Sequence, residues 1–329
     1  MNILVLAGGV SPERDVSLVS AAEIARALIK GGNRVAVVDL AFGVSEPQKF
    51  EFTDNIDNII EYKISEEIPE SEKFVHKIGK NILACCGSAD VVFLALHGDV
   101  GENGKLQAML DLYNISYTGS GSEGCMLAMN KNLAKLIAES AGIVIPRWSV
   151  NEKSRSIAFP CVVKPSGCGS SIGVEIVNNA SELENAIKSA AEYDDCVLVE
   201  EKISGREFSV GVINNKALPV IEIETKKGFY DYRNKYQPGR TIETCPAKLR
   251  SDISIAMQNT AVQIHNLLKL GYYSRVDFIV DDSGEIYFLE ANSLPGMTPL
   301  SLLPQEARAA GIDFVQLCRQ IAENPQNLK

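Results

Sequence analysis

Val91 to Leu96 reads Val-Val-Phe-Leu-Ala-Leu, an unbroken apolar run that passes directly into the turn His97-Gly98-Asp99-Val100-Gly101-Glu102-Asn103-Gly104. A strand with no polar face must be covered on both sides, which is the situation of a parallel sheet with helices packed against it. The residues around it fit that setting. Ile3 to Ala7 and Val35 to Leu40 are two more apolar strands, and between them an amphipathic helix near Val16 to Ile29 is stopped by Gly31 and Gly32. A helix near Lys105 to Tyr113 and a short strand at Ser116 to Thr118 follow, so residues 1–119 are expected to form a small parallel α/β domain. The charged, weakly patterned stretch from Asn55 to Lys80 is expected to be a surface excursion.

The pattern then changes. Residues 120–204 carry a helix from Leu127 to Ser140 and strands at Cys161 to Lys164, Val174 to Val177 and Val197 to Glu201. A second helix between the last two strands is announced by a capping box on Ser181 and Glu184. Residues 205–329 carry strands at Glu207 to Ile213, Pro219 to Thr225, Val276 to Val280 and Ile286 to Glu290, with helices near Ile253 to Lys269 and Ile312 to Glu323. The polar stretch from Lys226 to Lys248 reads as a mobile loop.

Charge narrows the partners. A formal net charge of -10 without any cluster of Lys and Arg excludes nucleic acid as the expected partner. The 8 cysteines are scattered, with neither zinc spacing nor a disulfide framework, which points to a reducing cytoplasm. The apolar start from Ile3 to Ala7 is too short for a signal peptide, and no run approaches the ~20 residues of a membrane span.

Against this background a few segments carry chemistry. Gly8 and Gly9 follow the first strand and fit a tight turn as well as a ligand approach. His97 sits where a strand's carboxyl end opens onto a crevice, and both a structural and a ligand-facing histidine fit there. Lys164 leaves a strand into Pro165-Ser166-Gly167-Cys168-Gly169-Ser170-Ser171-Ile172-Gly173, one cation followed by many backbone and hydroxyl donors, as polyphosphate oxygens require. The loop lacks the Lys-Ser/Thr ending of a Walker loop and so belongs to another phosphate-binding scheme. Glu200 to Glu207 reads either as a solvated charge run or as the reader of an adenine edge and ribose hydroxyls. Arg275-Val276-Asp277 and Glu290-Ala291-Asn292 flank the turn Asp281 to Gly284. A hairpin there gathers Asp277, Glu290 and Asn292 into an all-oxygen cluster suited to Mg²⁺ beside an arginine, and Lys131 and Lys164 complete a phosphoryl-transfer set.

These segments, in this order, resemble the D-alanine:D-alanine ligases of the ATP-grasp superfamily from Gly8 through Leu302. The resemblance also covers Glu13 in Ser11 to Ser17, Tyr117 to Ser120, Tyr230-Asp231-Tyr232, Lys235-Tyr236, and Ser293 to Met297. Asn130 and Asn103 stand where the family usually has Asp, and Leu294 and Pro299-Leu300 also depart from frequent choices. The resemblance implies three domains, with ATP held between the sheets of the second and third. It implies that Lys131 and Lys164 contact the α and β phosphates, and that Glu201, Lys202 and Ile203 bind adenine. Glu207 is implied for ribose and Lys235 for the γ phosphate. Mg²⁺ or Mn²⁺, two ions, is expected on Asp277, Glu290 and Asn292.

The expected reaction joins two D-alanine molecules through a D-alanyl phosphate, for peptidoglycan precursor synthesis in the cytoplasm, by a homodimer. Arg275 and the Gly296 N–H are candidates for the tetrahedral oxyanion. Tyr236, on the loop, is expected to join Ser170 and Glu13 in a network in which Glu13 holds the first ammonium, with His97 beside the substrate. Ser301 and the Leu302 N–H, at a helix start, are expected to receive the second carboxylate. A D-alanine:D-lactate ligase is the sister alternative, against which the resemblance weighs Tyr236. A nicotinamide oxidoreductase lacks its three-glycine fingerprint here, and a non-catalytic ATP-binding regulator would have no need of ligands, lysines and lid together.

Overall fold

The computed structural model describes residues 1–64, 78–151, 157–225 and 241–327. Its strands sort into three sheets. The first is parallel, in the order β2-β1-β3, with β1 (Asn2–Ala7) between β2 (Arg34–Asp39) and β3 (Val91–Leu94). Ile3 pairs with both Val35 and Val91, and the outer side of β3 bonds to residues 116–118, so the most apolar strand is fully buried. Helix α1 (Arg14–Lys30) covers the sheet, with Leu18, Ala21, Ile24, Ala25 and Leu28 in its core. Three shorter helices follow, α2 (Ile82–Gly87), α3 (Asp99–Glu102) and α4 (Lys105–Leu112).

The second sheet is antiparallel, in the order β4-β7-β5-β6: β4 (Trp148–Val150), β5 (Cys161–Pro165), β6 (Glu175–Val177) and β7 (Val197–Glu201). Between β6 and β7 runs α7 (Ala180–Ala191), preceded in the chain by α5 (Ser122–Met129) and α6 (Lys131–Ser140). The third sheet holds β8 (Gly205–Ile213), β9 (Lys216–Ala217), β10 (Ile221–Thr225), β11 (Thr241–Thr244), β12 (Tyr273–Asp281) and β13 (Ile286–Asn292). Its order is β11-β10-β8-β12-β13, with β9 against β8, and α8 (Ser251–Leu267), α9 (Leu302–Ala309) and α10 (Phe314–Ala322) complete the chain. Together these sheets make the mixed α/β arrangement, one parallel sheet and two antiparallel ones, that the sequence leads one to expect. No helix among the described residues is long and apolar enough to cross a membrane.

Several local expectations are corrected. The helix placed at Leu127 to Ser140 is two helices, because Asn130 leaves helical geometry (φ -83, ψ 96) and accepts the Leu133 N–H at 3.0 Å as the cap of α6. The cap of α7 is Asn179 rather than Ser181: its side chain accepts from the N–H groups of Ser181 and Glu182, while Glu182 reaches back to the Asn178 N–H. Ser116 to Thr118 forms a single bridge to Val92 rather than a strand. Within the Asn55 to Lys80 excursion, Ile56, Ile59, Tyr62 and Ile78 pack against the first core. The Lys226 to Lys248 loop lies outside the described residues up to 240, and from there β11 forms part of the third sheet.

Packing crosses the sequence divisions. Ala134 and Ala138 of α6 share a core with Phe208, Val276 and Phe278 of the third sheet. Leu317, Cys318 and Ile321 of α10 enter the core of the parallel sheet. Helix α6 therefore stands between the second and third sheets, and its amino-terminal turn faces the space they enclose.

Candidate active site

That space is a cleft of about 230 Å³. Val162, Lys164, Pro165, Val174 and Ile176 form one wall; Asp277, Ile279, Leu289 and Glu290 form the other. Glu201, Lys202, Ile203 and Glu207 line its far end where β7 runs into β8, and Lys131 opens onto it from the start of α6. The apolar walls suit a flat ring, and the charged end suits a polyphosphate.

The charges there are paired without being fully cancelled. Lys131 Nζ lies 3.2 Å from Glu290 Oε2 and donates to the Cys168 carbonyl at 2.6 Å. Burial would lower the Lys131 pKa, but Glu290, together with Cys168 and Glu200, outweighs it and the value rises, so the ammonium stays charged. Lys164 Nζ lies 2.8 Å from Glu200 Oε2, and Lys135 Nζ lies 3.2 Å from the other oxygen of the same carboxylate. Burial pushes Glu200 up, yet the two lysines hold its pKa below the ordinary carboxylate value.

The β12–β13 hairpin sets the oxygen cluster. Asp277 and Glu290 are direct cross-strand partners, as are Arg275 and Asn292. Asp277 accepts from Ser209 Oγ at 2.7 Å, from Arg275 Nε at 2.9 Å and Nη2 at 2.8 Å, and from Asn292 Nδ2 at 3.1 Å. With its nitrogen so used, Asn292 keeps its carbonyl oxygen for another partner. Among the described residues no three His, Cys, Asp or Glu side chains form a metal-holding group by themselves. The donor set that fits a hard cation is therefore two carboxylates and one amide oxygen.

A second group of side chains adjoins this end of the cleft. Glu13, just before α1, is buried and accepts a hydrogen bond from Ser170 Oγ, which links the parallel sheet's unit to the Lys164 loop. Gly98 has a positive φ of +68, which favours glycine, and a Cβ on Gly98 or on Gly169 would come within 2.9 Å of Glu13 Oε2, so both loops approach this carboxylate closely. His97 is buried, and its Nε2 finds no hydrogen-bond partner among the described residues. Burial lowers its pKa, with Glu13 and a hydrogen bond to the Leu294 backbone opposing, so the ring is neutral at pH 7. Gly296 lies against Ser301, whose Oγ accepts from the Thr298 N–H at 3.1 Å, and Leu302 opens α9.

Lys131, Lys164, Glu201, Lys202, Ile203, Glu207, Asp277 and Glu290 thus meet in one cleft, and Glu13, Ser170 and His97 meet in a pocket of charge beside it. Lys235 and Tyr236 lie outside the described residues. Sequence reasoning named Glu200 only within the Glu200 to Glu207 run, without separating it from Glu201, and missed Lys135 and Glu306. The signal for Glu200 was strand alternation: on β7 the side chains of Glu200 and Glu201 point to opposite faces, and Glu201 instead pairs with the exposed Arg147 at 2.8 Å.

Glu306 yields a prediction of its own. On α9 it is fully buried, accepts the Gly211 N–H at 2.8 Å, and its other oxygen has no hydrogen-bond partner among the described residues. Burial pushes its carboxyl up to about 8. The unfolded chain gives up this proton at lower pH than the folded one, so stability falls as pH rises from the ordinary carboxyl range toward 8. Glu306→Gln keeps an acceptor for Gly211 and removes the titration. Denaturant unfolding should find it more stable than the parent by at least ~1 kcal/mol at pH 8, with the gap shrinking toward pH 5.

Comparison with known proteins places this geometry among relatives. Residues 2–120 match the family model described as D-ala D-ala ligase N-terminus, and residues 139–323 match that described as D-ala D-ala ligase C-terminus. The D-alanine–D-alanine ligase of Pediococcus pentosaceus is 44% identical over 346 aligned positions, covering 100% of this chain and 98% of the relative. That of Lacticaseibacillus casei is 39% identical, covering 100% and 96%. Among solved structures, the D-alanine–D-alanine ligase of Bacillus anthracis complexed with ATP superposes with a TM-score of 0.76 at 29% identity, covering 98% of this chain and 97% of the other.

Proposed function

The chain belongs to the D-alanine–D-alanine ligase family, and from that premise we propose how its own residues divide the work. It is an ATP-dependent, ADP-forming ligase that joins two D-alanine molecules. The observation that carries the division of labour is the cleft itself, where buried lysines and carboxylates converge beside the Glu13–Ser170 link.

ATP enters the cleft with adenine between the apolar walls, read by Glu201, Lys202 and the backbone at Ile203, and with its ribose on Glu207. Lys131 and Lys164 meet the α and β phosphates, and Lys235 reaches the γ phosphate. Asp277, Glu290 and Asn292 would hold Mg²⁺ or Mn²⁺, which would supply positive charge against the phosphate oxygens whose charge opposes attack. Glu13 takes the ammonium of the first D-alanine, with His97 beside it, and Ser170 braces Glu13.

A free carboxylate is a poor acyl donor because its oxygen is a poor leaving group. A carboxylate oxygen of the first D-alanine therefore bonds to the γ phosphorus as the bond from that phosphorus to ADP breaks. The second D-alanine, its carboxylate on Ser301 and the Leu302 N–H, gives up a proton to water and attacks the carbonyl carbon as an amine, a second N–H proton passing to water as the amide forms. Arg275 and the Gly296 N–H stabilise the oxyanion, a contribution of roughly 3–4 kcal/mol per well-placed donor. The C–O bond to phosphate then breaks, and phosphate leaves with the original carboxylate oxygen.

The proposal extends to organisation. Residues 1–119, 120–204 and 205–329 act as three domains, a division supported by the fact that β1–β3, β4–β7 and β8–β13 each form their own sheet. The protein acts as a cytoplasmic homodimer that feeds peptidoglycan precursor synthesis. The test is to follow phosphate and dipeptide together with ATP, Mg²⁺ and D-alanine. Equal amounts of both are expected, and phosphate without dipeptide, or without need of D-alanine, contradicts the reading.

A further inference from the structure

Lys135 is a fully buried lysine that does not line the cleft. It sits one helical turn after Lys131 on α6, behind Glu200, with its ammonium 6.0 Å from the centre of the Trp148 ring. Taking an ammonium out of water costs several kcal/mol, and an apolar side chain of similar volume would fill the same space at no such cost. Its one charged partner among the described residues is Glu200, at 3.2 Å. The other oxygen of Glu200 is occupied by Lys164, at 2.8 Å. One buried carboxylate is thus shared by two ammonium groups, only one of which opens onto the cleft.

We infer that Lys135 is a positioning residue for ATP binding: by sharing the charge of Glu200 it prevents that carboxylate from neutralising Lys164, which keeps a net positive charge for polyphosphate oxygens. This rests on the reading of the cleft as the ATP site. The electrostatics are direct. Glu200 with Lys164 alone is a closed, neutral pair, and an incoming phosphate would have to compete with the carboxylate for the same ammonium. Glu200 between two lysines leaves one positive charge over, at the place where anionic oxygens arrive, in a setting where water screens little. The same contact ties α6, whose alanines belong to the core of the third sheet, to β7 of the second sheet. The lysine therefore acts on the seam along which the nucleotide lies.

The experiment separates this electrostatic role from a merely structural one. ATP affinity is measured by calorimetry with Mg²⁺ and without D-alanine, and the KM for D-alanine is measured separately. Lys135→Met should weaken ATP binding by roughly tenfold or more, with the KM for D-alanine changed by less than about twofold. Lys135→Arg should stay near the parent. The discriminating variant is Lys135→Met combined with Glu200→Gln, which removes the carboxylate that has closed on Lys164 and should recover ATP affinity relative to Lys135→Met alone. A structural loss would be deepened, not reversed, by that second change. Should Lys135→Met not fold, Lys135→Gln, which keeps a polar side chain beside Glu200 but no charge, carries the same comparison. Unchanged ATP affinity, equal losses for ATP and D-alanine, or no recovery in the double variant would overturn the inference. A parent protein that binds no ATP would overturn both it and the reading of the cleft.

Discussion

Glu290→Gln is expected to lower turnover by roughly 10²–10³-fold while the protein still folds. Glutamine has the same shape, so the packing of β13 against β12 is kept; what disappears is one negative charge facing Asp277 across the hairpin. That charge serves twice. It is one of two carboxylates in the proposed Mg²⁺ site, and it holds Lys131 at 3.2 Å and keeps the buried ammonium charged. The side chain is partly exposed to the cleft, so the structural cost of the change is small and the loss should appear in kcat. The measurement is kcat at saturating ATP and D-alanine over a series of Mg²⁺ concentrations, with thermal unfolding as the control. Turnover equal to the parent's at saturating Mg²⁺ would remove Glu290 from the metal site.

The next largest effect is expected for Lys164→Met, in the constant for ATP. A charge-assisted hydrogen bond from Lys164 to phosphate is worth about 1.5–3 kcal/mol, so the KM for ATP should rise by roughly 10- to 100-fold. The KM for D-alanine should change far less, because Lys164 lies on the β5 wall of the cleft and Glu13 reaches that loop further on, through Ser170. Methionine fills the volume, and Glu200 keeps Lys135 as a partner, so the fold is not left with an unpaired buried carboxylate. Steady-state kinetics with each substrate varied in turn checks this; equal changes in both constants would show a disturbed loop and end the phosphate role.

Much of the architecture was legible because it rests on short-range pattern. The apolar run at Val91 marks a buried strand wherever it occurs, and the turn after Asp281 forces the hairpin that brings Asp277 opposite Glu290. What was not legible depends on competition between equivalent local choices or on distant packing. Asn179 and Ser181 are both good caps, and only the path of the chain out of β6 decides for Asn179. Asn130 interrupts an otherwise continuous helical pattern because its side chain also accepts a hydrogen bond from Ser166, in a loop that the sequence does not place beside it. Glu200 and Glu201 look alike in the sequence, yet one is sealed between two lysines and the other reaches Arg147 near the surface. Lys135 gave no signal at all, since a lysine on an amphipathic helix is ordinarily at the surface. The carboxyl-terminal helix α10 returns to the first sheet through a contact with no local trace.

The central claim is that the carboxylate of one D-alanine is phosphorylated before the second attacks it. D-Alanine carrying ¹⁸O in its carboxylate, turned over with unlabelled ATP and Mg²⁺, tests this by mass spectrometry of the phosphate released. The account predicts that each phosphate carries one oxygen from D-alanine, because the bond formed to phosphorus outlives the bond to carbon. Phosphate free of label, with the oxygen lost from the carboxylate released as labelled water instead, would contradict it.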